Sequence, residues 1–185
     1  MTKTSISMET IPESNFAALL NPRLALLVTC CDSQGQPNVL AVAWHTPLSH
    51  VPPMLGISIG GTRYSHNLIQ DTGDFAVNIM GVSMLNAVKI CGELTGELDD
   101  KFSIAEMETK LARKISVPVL CDALGVLECR LENQVKTGDH TFFIGRVLYA
   151  EAHSGCFSRG WVDSREDGVL LHLRKNHYTT FIEEF

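Results

Sequence analysis

Asn38-Val39-Leu40-Ala41-Val42-Ala43-Trp44-His45-Thr46-Pro47-Leu48-Ser49-His50-Val51-Pro52-Pro53 carries an apolar run into a segment punctuated by prolines. Proline fixes φ and donates no backbone hydrogen bond, so this segment cannot continue a central strand, and its remaining N–H groups need other partners. We read it as a loop of small polar residues beside Trp44. Such a cradle suits a flat heteroaromatic ligand whose acceptor edges take up those N–H groups.

Strand signals flank the loop on both sides. Arg23 to Cys31 reads as a buried strand, Asp32-Ser33-Gln34-Gly35-Gln36-Pro37 as its turn, and Asn38 to Trp44 as the returning arm of a hairpin. Met54 to Ile59 gives a third strand, ended by Gly60-Gly61. Ser65 to Asp71 is expected to be a short helix with Ser65 as N-cap and Gly73 as terminator, followed by a strand alternating Phe75, Val77 and Ile79. Further helices are expected at Ser14 to Leu20, Ser83 to Ile90 and Ser103 to Lys114. In the last of these, Ser103 and Glu106 form a capping-box pattern, and Ile104, Met107 and Leu111 share a face. Two long strands, Leu124 to Glu132 and His140 to Ala152, meet through Gly138-Asp139, and a shorter one lies near Gly168 to Leu173. A doubly wound sheet needs crossover helices between most strands, so these short helices favour a mainly β, antiparallel barrel.

The chain of 185 residues is most simply one domain spanning residues 1–185, with the short N-terminal helix and the C-terminal tail included. It is 45% hydrophobic and 19% charged, with no run of apolar residues long enough to span a bilayer, which argues for a protein without membrane contact. Met1 to Glu13 lacks a basic start followed by an apolar run, so no secretion signal is expected and the cytoplasm is the expected compartment. A formal net charge of −6 argues against nucleic-acid binding, which depends on basic surfaces. The six cysteines contain no Cys-x-x-Cys and several lie in apolar runs, so structural disulfides are not expected. The seven histidines show no zinc spacing, and no metal is assigned.

Thr62-Arg63-Tyr64-Ser65 stands after a strand and at a helix start, where unpaired N–H groups attract an anion and Arg63 and Ser65 add charge-assisted bonds. An ordinary capped helix with a solvated arginine uses the same residues. Lys101 follows a glycine-bearing loop, where it either points a cation into a site or pairs with Asp99 and Asp100 at the surface. Gly138-Asp139-His140 puts a histidine at the mouth of a strand, where it can donate to a ligand or carry a proton. It reads equally as a hairpin turn. Gly56-Ile57-Ser58-Ile59-Gly60 matches the Gly-x-Ser-x-Gly pattern of hydrolase elbows, yet Ser58 falls inside an apolar alternation rather than on a strand-to-helix turn. There is no Gly-x-Gly-x-x-Gly and no Walker loop.

In order along the chain, Asn38, Trp44-x-x-Pro47-x-Ser49-x-x-Pro52-Pro53, Arg63-x-Ser65, Gly73-Asp74-Phe75-Ala76-Val77-Asn78, Cys91-Gly92, Asp100-Lys101-Phe102 and Gly138-Asp139-His140 resemble the flavin reductase-like FMN-binding split-barrel family, and within it the flavoredoxins. The likeness covers roughly residues 22 to 152. It implies a split β-barrel of antiparallel, Greek-key type, non-covalent FMN near the interface of a homodimer, and electrons delivered by NAD(P)H or a protein partner to an acceptor. The family's flavin contacts would fall on Asn38, Trp44, His45, Thr46 and Ser49 around the ring, on Ser65 and Arg63 at the phosphate, and on Lys101 and His140. Tyr178 from the C-terminal tail would complete the site. The redox chemistry belongs to the flavin, so no side chain need act as acid, base or nucleophile in the electron-transfer step, although His140 is a candidate. Two rivals remain: a flavoprotein electron carrier that does not itself oxidise NAD(P)H, and a serine hydrolase built on Ser58.

Overall fold

The computed structural model describes residues 8–161 and 167–181. Residues 1–7, part of the stretch read as lacking a secretion signal, lie outside them. The strands are β1 (Arg23–Leu24), β2 (Leu26–Cys31), β3 (Pro37–Val42), β4 (His45–His50), β5 (Pro53–Gly60), β6 (Asp74–Ile79), β7 (Thr109–Lys110), β8 (Val119–Leu120), β9 (Gly125–Thr137), β10 (His140–Ala152), β11 (Leu171–Arg174) and β12 (His177–Thr179). The α-helices are α1 (Tyr64–Thr72), α2 (Leu85–Glu93) and α3 (Lys101–Ile104), and 3-10 turns cover Glu13–Leu20 and Val82–Met84.

Seven strands make one sheet in the order β3-β2-β6-β9-β10-β5-β4, with antiparallel ladders throughout. The mainly β, antiparallel expectation therefore holds. The sequence Leu-Leu-Val-Thr-Cys-Cys of β2 is buried at every position, because layers pack on both of its faces. Leu26, Val28 and Cys30 meet Ile57, Phe75, Val77 and Phe143 in one core, whereas Leu27 joins Met80, Val88 and Cys91 in a second core that includes α2. The buried side chains of Asn78 and Thr29 are paired, as burial requires. Asn78 donates to the Leu27 carbonyl at 2.9 Å and accepts from the Leu120 N–H at 2.9 Å, while the Thr29 hydroxyl donates to the Pro118 carbonyl at 2.7 Å. These bonds tie β8 to the main sheet.

Four local expectations are corrected. The strand read over Arg23 to Cys31 divides at Ala25: β1 pairs with β11, and β2 pairs with β3 and β6. Most of the proline segment is a strand rather than a loop, β4, at the sheet's edge, where a missing N–H costs no ladder bond. Its register shifts between Pro47 and Ser49. The N-cap of α1 is Arg63 instead of Ser65, which lies buried within the first turn, while Gly73 ends the helix at φ 77° as expected. The helix over Ser103 to Lys114 does not form. Asp100 takes the N-cap role, accepting from the Ser103 N–H at 3.2 Å, the chain reverses at Glu106 with φ 53°, and β7 follows.

Candidate functional site

β5 ends at Gly60 and the chain turns into α1 through Gly61, Thr62 and Arg63, with the Gly61 N–H bonded to the Asp139 carbonyl at 3.0 Å. This bond fastens the turn to the β9–β10 hairpin and sets His140 opposite Gly60. A Cβ built on Gly60 would lie 3.7 Å from His140 Nε2 and 3.8 Å from Arg63 Cγ, so these two side chains flank the same glycine. No side chain caps α1, and its first-turn N–H groups keep the positive end of the helix dipole uncompensated. The Arg63 guanidinium is exposed and makes no ion pair among the described residues. His140 Nδ1 bonds the Asp139 carboxylate at 2.7 Å, and that bond together with the imidazole charge holds the Asp139 carboxyl below its usual range. A guanidinium, an uncapped helix start and an oriented imidazole around one glycine turn are the donor set that a phosphate monoester requires.

His140 also stacks on Trp44, with ring centroids 4.9 Å apart and planes 24° from parallel. Trp44 meets a second ring as well, Phe16 of the N-terminal 3-10 turn, at 6.4 Å and 58°. Beyond Trp44 runs the edge strand β4. His45 bonds the Leu24 carbonyl through Nε2 at 3.2 Å, and burial pushes its pKa down. The Thr46 hydroxyl is exposed and bonds the Pro47 carbonyl at 3.2 Å, and Ser49 pairs with Met54.

Beneath α1 lies a buried polar group of different character. Asn38 Nδ2 donates to the Ser65 hydroxyl at 2.6 Å and approaches the Cys30 sulfur at 3.9 Å. Gly96 is pressed against this amide so closely that a Cβ there would come within 1.8 Å of Asn38 Oδ1. Lys101 is only 3% exposed and donates from Nζ to the Val39 carbonyl at 2.7 Å, without an ion pair among the described residues. Burial lowers its pKa, and burial raises the neighbouring thiols Cys30 and Cys91 to about 12 and about 11.

The candidates thus fall into groups. Arg63 and His140 flank the Gly60 turn, Trp44 stacks on His140, and Asn38 adjoins Ser65 inside the protein. Lys101 reaches the backbone of β3, while His45, Thr46 and Ser49 lie along β4. Tyr178 stands apart, edge-on to His172 at 5.4 Å, lining a cavity of about 260 Å³ with Ala41, Ala43 and Gly92. Ser58 lies mid-strand opposite Phe142, two residues short of the end of β5, without the strand-to-helix turn of a nucleophile elbow. Sequence reasoning passed over Phe16 as a partner of Trp44 and Gly96 as the support of Asn38. Only the glycine in Thr95-Gly96-Glu97 carried a local signal, a place where backbone passes close to a side chain.

The chain matches the flavin reductase like domain over residues 20–180. It belongs to the flavin reductase-like family. This flavin reductase-like chain is 34% identical over 151 residues to an uncharacterised protein of Archaeoglobus fulgidus, which covers 81% of the chain and 85% of the relative. Its fold is that of flavoredoxin from Methanosarcina acetivorans, with a TM-score of 0.84 at 24% identity over 97% of this chain and 94% of the other. The FMN-binding protein of Thermus thermophilus with bound 1-cyclohex-2-enone superposes with a TM-score of 0.82 at 24% identity, over 100% of this chain and 98% of that one. The architecture is a flavin-reductase split barrel.

Proposed function

We propose that this flavin reductase-like protein is an FMN-dependent oxidoreductase, a single domain acting as a homodimer, which takes electrons from NAD(P)H or a protein donor and passes them to an acceptor. The observation that carries the reading is Arg63, without an ion pair among the described residues, flanking Gly60 with His140 at the uncapped start of α1. That set fits the phosphate of FMN, and the stack of His140 on Trp44 gives it an aromatic wall. Bound FMN would supply the electron transfer.

The chain's own residues would do the rest. Arg63 and the α1 N–H groups neutralise a dianion with charge-assisted bonds, and Asp139 orients the imidazole through Nδ1 so that Nε2 is turned to Gly60. Asn38 and Ser65 brace the first turn of α1 from inside, and Lys101 stiffens β3 while adding positive potential behind it. His45, Thr46 and Ser49 border the ring along β4, and Tyr178 approaches from the tail. The exposed apolar side chains Leu48, at 42%, and Val51, at 93%, support a second copy packing on β4. The enone held by the Thermus protein supports a small conjugated acceptor for this chain as well.

A flavin titration tests the reading. FMN should bind more tightly than riboflavin by on the order of 10² to 10⁴, the weight of two or three charge-assisted bonds. Replacing Arg63 by glutamine should remove roughly 10- to 100-fold of that preference. Equal affinities for the two flavins would refute the phosphate assignment. Anaerobic NADH or NADPH should bleach the yellow protein, and colour that persists would assign the chain to electron carriage with a protein donor.

A further inference from the structure

Trp44 and the imidazole stacked on it open onto different cavities. His140 lines one of them with His66 and Lys136, whereas Phe16 shares with Trp44 a second cavity of about 480 Å³ that does not include His140. The floor of the second is Ser58 and Phe142, cross-strand partners on β5 and β10, and Leu20 and Arg23 close one end. Its size is in the range of small-molecule sites, and its aromatic and aliphatic walls are interleaved with four polar side chains, Arg23, His45, Thr46 and Ser58.

Those polar groups are specific. Arg23 spends Nε on the Leu20 carbonyl at 3.1 Å and makes no ion pair among the described residues, which leaves both terminal amino groups of the guanidinium available. The Ser58 hydroxyl, the centre of the Gly-x-Ser-x-Gly pattern, makes no side-chain hydrogen bond among the described residues, and Thr46 stands at the rim. A planar fork of this kind prefers a carboxylate, which it binds through two parallel bonds. The aromatic walls suit a flat ring. A ring held between two others needs walls about 7–8 Å apart, two contacts of about 3.5–4.0 Å each. Phe16 and Trp44 stand at 6.4 Å with their planes 58° apart, and Phe16 is 57% exposed on a 3-10 turn that buries none of its residues, so the slot forms when the Phe16 ring shifts outward and turns toward parallel.

We propose that this cavity binds a planar aromatic carboxylate, its ring between Phe16 and Trp44 and its carboxylate on Arg23. The FMN reading gives the site its meaning, a ligand subsite that shares Trp44, His45 and Thr46 with the border of the flavin ring, but binding here does not depend on that reading.

Calorimetry and the indole N–H signal of Trp44, in a Trp161→Phe background, test the proposal. 1-Naphthoate should perturb that signal and bind about 10-fold more tightly than the neutral 1-naphthalenemethanol. Arg23→Gln should abolish the preference, and Phe16→Ala should weaken both ligands. Equal binding of acid and alcohol, or no change at Trp44, overturns the proposal. FMN affinity falling in step with naphthoate affinity in Arg23→Gln would give the cavity to the cofactor. Dissociation of a dimer by Phe16→Ala with ligand binding untouched would give this face to a second copy. Arg63→Gln, which should weaken FMN binding and leave naphthoate binding unchanged, makes failure of the cofactor reading distinguishable from failure of this one.

Discussion

Lys101 shows how little a residue's type says about its use. Its position after a glycine-bearing loop allowed either a ligand-facing cation or a surface charge. The protein instead buries the ammonium and spends it on the Val39 carbonyl. Burial holds its pKa below 10.5, so between the folded value and 10.5 the unfolded chain carries more protons than the folded one. Stability then rises with pH across that window, because raising the pH relieves the cost of burying the charge. Thermal unfolding followed as the pH is raised toward 10.5 should therefore favour the wild type progressively over Lys101→Met. A constant difference between the two proteins would mean that the ammonium loses nothing on burial. Asn38 and Ser65 were legible as polar candidates, but not their bond to each other, since nothing local links positions 27 residues apart.

At the scale of elements, alternation and turn chemistry were readable wherever one local rule acted alone. The β9–β10 hairpin follows from Gly138, and the start of β6 from Gly73. The helix expected over Ser103 to Lys114 fails because several groups compete for the same backbone. Asp100 caps first, and the buried carboxylate of Glu128 then accepts from the Arg113 and Lys114 N–H groups at 2.8 and 2.6 Å. Those N–H groups are thereby withdrawn from any helix. Glu128→Gln sets an amide NH₂ against one of them, and it should cost about 1–3 kcal/mol of unfolding free energy in urea titration. An unshifted midpoint would show that the loop holds its shape without the carboxylate. The proline-bearing segment teaches the opposite lesson: proline excludes central strands only, and β4 takes the edge.

For the whole molecule, the barrel was foreseeable from many short strands and few crossover helices, and the ordered motifs named the family before any coordinates did. The strand order was not foreseeable. β3 and β5 surround the proline segment in sequence but stand far apart in the sheet order, and β1 leaves its neighbour β2 to pair with β11 near the other end of the chain. Such pairings are decided by which apolar faces close the two cores, information spread over the entire chain. The same closure has a practical effect on the thiols. Cys30, Cys31, Cys91, Cys129 and Cys156 are buried in the interior, and Cys121 is exposed. A maleimide should therefore label the native protein once and the denatured protein at all six positions, as intact-mass spectrometry would count them. Nature has left this enzyme scaffold a single chemical handle, so a spin label or fluorophore can be attached at one known address without engineering any cysteine away.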